Sequence, residues 1–268
     1  MKISALQNLE SDDSRIERRS FQMASFTDLY PERRGGVISP TTMQVQREML
    51  SSSFTFLLQR LTGTDKVQHL KVTCEQNLVS NIEKMPMVKT LLSALKASGC
   101  PVDLKRHLVC EMCQPGSDVQ HAGGYDPALN QVFVCCNNAT NAGLVHGALV
   151  RNLIQMFDCC VNKYDFNNVR HLACSEVRKA NLANCQFLTN LTRPEASFGV
   201  SQQHRSCVRS VAIEALVKTK FVKEEAAGKV VDEVFDKCYA DLEPIGRRAR
   251  NADDIKRAED EKFLFGYS

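Results

Sequence analysis

The sequence contains no uninterrupted apolar run of the ~18–20 residues that a helix needs to cross a bilayer. Its long uncharged stretch from Pro127 to Val150 is broken by Asn130, Gln131, Asn137, Asn138 and Asn141. A helical membrane span is therefore not expected, and membrane association would be peripheral or through partners. No Lys/Arg cluster with interleaved aromatics is present, which argues against a nucleic-acid partner. A net charge of +3 with 24% charged residues fits an ordinary globular chain. There is no secretory apolar region at the start. Up to Gly36 acidic and basic residues occur in equal number, whereas a cleaved matrix presequence is Arg-rich and acid-poor. No internal repeat or low-complexity run is visible.

Cysteine, by contrast, is plentiful, with twelve residues. A zinc ribbon would call for two Cys-x-x-Cys pairs, or one with a His pair. Only Cys110 and Cys113 make such a pair. Two readings remain open: a disulfide framework in an oxidising compartment, or reduced core thiols. Pairing cannot be read from spacing alone.

A chain of 268 residues can bury one sizeable core plus extensions. Residues 1–45, with breakers at Pro31 and Gly35-Gly36, read as an extended segment, floppy or ordered on a partner. Residues 46–246 read as the folded domain, and 247–268 as a charged tail ending in the apolar triplet Phe263-Leu264-Phe265. Apolar spacing predicts helices over 44–61, 74–82 and from Pro86 to a stop at Gly99 and Pro101. Two short strands are expected near His107–Cys110 and Gln131–Cys136. Gly123-Gly124 and Asp126-Pro127 between them read as turns. Further helices are expected at 142–160, 202–218 and 223–239. On the last two, Cys207 and Cys238 are candidates to bridge each other. Within 142–160, the 4-3-4 spacing of Leu149, Leu153, Met156 and Cys160 predicts a core stripe. Leu144, Ala148, Arg151 and Gln155 form the adjoining face.

That adjoining face carries the most informative absence. The helix has no His-Glu-x-x-His motif, whose two histidines would hold zinc on one face while the glutamate takes a proton from zinc-bound water. In its place stands Arg151-Asn152-Leu153-Ile154-Gln155. The guanidinium of Arg151 stays protonated and repels a dication. Asn152 is neutral and cannot act as a general base. Gln155 offers only an amide oxygen. His146 lies nine positions before Gln155 and points to the other side of the helix, so it reads as a packing or surface residue.

The helix is followed by Asp165-Phe166-Asn167-Asn168-Val169-Arg170-His171-Leu172-Ala173-Cys174-Ser175-Glu176-Val177-Arg178. With Cys110-Glu111-Met112-Cys113, Gly123-Gly124-Tyr125-Asp126, Gln131 to Asn138, His204 to Arg209 and Val230 to Cys238, this context resembles a mitochondrial inner-membrane metalloprotease family. Members of that family process and help to assemble an ATP-synthase subunit. The resemblance runs from about Gln46 to Gly246. It implies an α+β fold: a minimal zincin-like domain with a small sheet, the degenerate active-site helix and flanking helices. Asp158, Asp165, His171, Ser175, Glu176 and Arg178 match family positions. The resemblance also implies oxidised cysteines at Cys74, Cys100, Cys110, Cys113, Cys136, Cys160, Cys174, Cys185, Cys207 and Cys238, with Cys159 and one of Cys135 and Cys136 as extras.

From the altered motif follow the expectations of no catalytic residue, no metal or other cofactor, and no enzyme activity. The expected role is a structural subunit of a large inner-membrane complex, either ATP synthase or a respiratory complex. The alternatives are a non-catalytic assembly chaperone and a protease with an altered site. The expected location is the intermembrane space, peripheral to the inner membrane.

Overall fold

The computed structural model describes residues 64–113, 122–185, 200–218, 222–249 and 251–267. The helix expected at 44–61 and the extended segment 1–45 lie outside them. The fold is α+β, helix-rich with one small sheet, as expected. It forms two compact units.

The first unit takes residues 64–85, 102–113 and 122–152 of the described chain. It holds helix α1 (Thr64–Lys84), the single turn α3 (Leu104–His107), strands β1 (Leu108–Glu111), β2 (Gly123–Asp126) and β3 (Gln131–Cys135), and the first half of helix α4 (Ala142–Val161). The sheet has the order β1-β3-β2, with β1 parallel and β2 antiparallel to the central β3. All of β1 is buried, as are Val132 to Cys135 of β3. Continuous burial suits a strand covered on both faces.

Strand β2 corrects the reading of Gly123-Gly124 as a turn. Both glycines pair with β3, Gly123 opposite Val134 and Gly124 opposite Phe133. A Cβ on Gly123 would lie 2.4 Å from the Phe133 carbonyl oxygen, and one on Gly124 would lie 2.5 Å from the Phe133 ring. Glycine here permits close approach within a sheet. The turn itself is Asp126 to Asn130. The Asp126 Oδ1 accepts from the amides of Ala128 and Leu129, and Asn130 takes a φ of 49°, a conformation that Asn tolerates.

The second unit takes residues 86–101, 153–185, 200–218, 222–249 and 251–267. Its helices are α2 (Pro86–Ala97), the second half of α4, α5 (Val169–Lys179), α6 (Val200–Lys218), α7 (Glu224–Ala240) and α8 (Ala252–Asp260). A π-helical turn, Ala180–Asn184, extends α5. Asn168 caps α5 by accepting from the Arg170 amide at 2.9 Å. Leu172, Val177, Val208, Ala212, Leu216, Val230, Val231, Val234 and Phe235 build the core where α5, α6 and α7 meet. Within the segment read as a charged tail, α8 packs on α2 and is capped by Asn251.

Five disulfides tie the elements: Cys74–Cys110, Cys100–Cys160, Cys113–Cys135, Cys174–Cys238 and Cys185–Cys207. Two readings need correction. Cys207 and Cys238 do not bridge each other; α5 lies between them in the pairing, with Cys174 taking Cys238. Cys136 is not bonded, and Cys135 takes Cys113 instead. On β3 the side chains alternate, so Cys135 and Cys136 cannot both face Cys113. The Cys136 thiol meets the Met112 sulfur at 3.3 Å. Cys159 is also free.

Candidate functional site

Helix α4 carries the altered motif, and its environment is set residue by residue. Leu149 and Leu153 are fully buried and Met156 is nearly so, while Cys160 spends its sulfur on the bridge to Cys100. On the adjoining face Leu144 is exposed and Ala148 buried. Arg151 and Gln155 are half-buried. Asn152 is buried, and its amide donates to the Ala148 carbonyl at 2.8 Å. It thus serves its own helix. His146 meets the Asn81 side-chain oxygen through Nδ1 at 2.9 Å, and Asn81 also donates to the Ala142 carbonyl. This fits the packing role expected for His146. Burial lowers its pKa.

In the second unit two polar clusters stand between α4 and α5. The inner one joins three of the family-matching residues. Asp158 is fully buried; its Oδ2 accepts from Ser175 Oγ at 3.0 Å and its Oδ1 from Arg178 Nε at 2.9 Å. Arg178, 1% exposed, also meets Asp241 at 2.5 Å and donates to the Glu243 carbonyl at 2.6 Å. Burial raises the pKa of Asp158, against the opposing pull of Arg178 and Ser175. Burial would lower the pKa of Arg178, but Asp158 and Asp241 outweigh it and the net direction is upward.

The outer cluster lies beside the motif. The Lys179 ammonium donates to Gln155 Oε1 at 3.0 Å and to Glu176 Oε1 at 2.5 Å. Lys179 is absent from the expected set, although its place three residues after Glu176 on a helix is a readable pairing signal. His171 is buried, and its Nδ1 accepts from the Asp165 amide at 3.1 Å. The Asp165 carboxylate turns instead to the Asn167 amide at 2.8 Å. His171 and Asp165 are thus joined through the Asp165 backbone amide.

A zinc ion, which the resemblance implies for the family, does not fit these donors. The oxygens of Gln155 and Glu176 converge on an ammonium, so a dication there would face a fixed positive charge. Among the described residues no three His, Cys, Asp or Glu side chains are grouped to hold a metal. In the second unit the face thus presents the amide of Gln155 and the carboxylate of Glu176, both bonded to the buried ammonium of Lys179.

Comparison with known proteins places the chain. Residues 72–246 match the Peptidase M76 family. A human protein named mitochondrial inner membrane protease ATP23 homolog is 40% identical over 180 residues, covering 66% of this chain and 71% of its own. The zebrafish (Danio rerio) protein of that name is 36% identical over 233 residues, covering 86% of this chain and 81% of its own. The Xenopus laevis protein of that name is 41% identical over 187 residues, covering 69% and 77%. No solved structure matches. These findings overturn the expectation of a non-enzymatic structural subunit in ATP synthase or a respiratory complex, since the relatives are named as proteases. The exchange of His and Glu for Arg151, Asn152 and Gln155 changes the donors at one helix face; it was too narrow a basis for denying the chain an enzyme's role. With the match spanning more than half of its length, the chain belongs to the Peptidase M76 family.

Proposed function

We propose that the chain acts on polypeptides of the mitochondrial inner membrane, in their processing or assembly, from the intermembrane-space side. The similarity to relatives named as inner membrane proteases carries this reading. Five disulfides suit an oxidising compartment. None of the described helices is long and apolar enough to cross a membrane, which is compatible with peripheral attachment.

At the site, the half-buried amide of Gln155 and the half-buried carboxylate of Glu176 are suited to hydrogen-bonding a peptide backbone. In a processing step Glu176, held by the Lys179 ammonium, would take a proton from water.

The test combines the oxidised chain with newly synthesised inner-membrane polypeptides and reads both new N-termini and intact co-isolated chains by mass spectrometry. New termini that fall about a hundredfold with Glu176→Gln support processing. Intact polypeptides retained by the chain, and lost on Gln155→Ala, support assembly. Neither cleavage nor retention sinks the reading.

A further inference from the structure

The turn after α8 presents bulky apolar side chains to solvent. Phe263 and Leu264 are each 68% exposed, and Phe265 is 45% exposed. Their exposure does not come from a slack tail. The segment Lys262–Phe265 is a 3₁₀ turn, closed at its start by the Leu264 amide bonding to Glu261 and at its end by the Gly266 amide bonding to Phe263. The amide of Tyr267 then returns to the Lys262 carbonyl, and its side chain is buried. Gly266, at φ 80°, makes the reversal that a side chain would disfavour. Phe265 rests on Gly246, where a Cβ would lie 2.4 Å from its ring, and stacks with Tyr267 at 6.1 Å. Lys262 reaches Ser93 on α2 at 3.0 Å. The fold thus holds Phe263 and Leu264 outward at a pinned tip.

We infer that this tip inserts into the interfacial region of a phospholipid bilayer. The inference rests on the inner-membrane reading above and adds the surface by which the chain would touch the membrane. Three observations favour lipid over a protein partner. The two side chains offer roughly 300 Å² of apolar surface, well under the ~800 Å² per partner of a stable protein interface. Lipid demands no complementary partner surface and accepts a small apolar wedge. Two of the three carboxylates just before the tip are also paired: Glu261 with Arg247, and Glu259 with Lys89. Lys256 and Arg257 stand exposed on α8, near the exposed Asp260. The local balance does not oppose a phosphate headgroup, and apolar insertion supplies the attachment.

The absence of tryptophan from the sequence gives a direct test. In the full oxidised chain Phe263→Trp places one reporter on the tip. Vesicles of phosphatidylcholine and phosphatidylethanolamine with one fifth cardiolipin are then added at physiological salt. The expected result is a blue shift of the emission, and flotation of the unsubstituted chain with the vesicles. Phe263→Ser with Leu264→Ser should lower the bound fraction at least about tenfold. Overturning results are an unshifted emission, no flotation, flotation equal in the double variant, or binding that high salt abolishes. A change of oligomeric state in the double variant would also overturn it, by assigning the tip to a second copy. None of these results bears on cleavage or retention of polypeptides, so the tip can fail while the proposed function stands.

Discussion

The two polar clusters between α4 and α5 lie on the same pair of helices and obey different rules. The inner cluster of Asp158, Ser175, Arg178 and Asp241 is sealed from water, and each charge is met by an opposite charge or a carbonyl. In the outer cluster Lys179 is buried too, but Gln155 and Glu176 are partly exposed. The inner residues position the helices and have little freedom to change, because a buried charge left alone is costly. The outer face can exchange its side chains at lower cost, so chemistry can vary there while the frame persists. A residue matching a family pattern can therefore be structural, as Asp158 and Arg178 are by their contacts.

The largest expected effect breaks the inner cluster. Asp158→Ala leaves the Arg178 guanidinium with less compensation in a dry site and should cost about 3–5 kcal/mol, read by urea unfolding. Replacing both, Asp158→Leu with Arg178→Met, should recover much of that loss. Equal damage from single and double variants would deny that the pair acts as a unit. Next, Cys174→Ala with Cys238→Ala removes the bridge between α5 and α7 and should cost about 2–4 kcal/mol in the same assay. In the outer cluster, Glu176→Gln should cost less, about 1–3 kcal/mol, because Glu176 keeps some exposure and the Gln oxygen still accepts from Lys179. A loss matching that of Asp158→Ala would erase the contrast between the clusters.

The smallest effects are pH-dependent. Burial holds the pKa of His146 below its usual 6.5. The unfolded chain therefore binds the proton more tightly, and stability falls as pH drops through the ordinary imidazole range. His146→Gln should flatten that segment of a stability–pH curve. Arg209 holds the exposed Asp232 below the usual carboxylate range through a hydrogen bond. Its contribution is full above that range and is lost as pH falls through the lowered value. Solvent screening limits it to roughly 0.2–1 kcal/mol.

The legible parts of the fold were those with a strong period and clear breakers. Pro86 and Gly99 bracket α2, and the 4-3-4 stripe of Leu149, Leu153 and Met156 marks α4. Strand β2 was hidden because Gly123-Gly124 looks like a turn when the Phe133 backbone that crowds it is unseen. Helix α8 was hidden because it is short and mostly charged, with only Ala252, Ile255 and Ala258 as apolar residues, and its partner α2 is distant in the chain. At the site, spacing placed Arg151 and Gln155 on one face. It did not reveal Lys179 closing over Gln155, which depends on how α5 meets α4. Which cysteine pairs with which was equally a matter of three-dimensional approach.

Joining Cys113 to Cys136 instead of Cys135 would give the oxidised chain an isomer of identical mass. Only peptide mapping between residues 113 and 136 would tell them apart. The buried Cys136 thiol is pushed up to about 11, so little of it is thiolate near neutral pH and its attack on the neighbouring bridge is slow. The Cys113–Cys135 bond is thus spared rapid attack by its chain neighbour Cys136, whose sulfur lies against Met112. The chain's correct wiring is in that sense kinetically locked. Alkaline conditions that ionise Cys136 should be where scrambling begins.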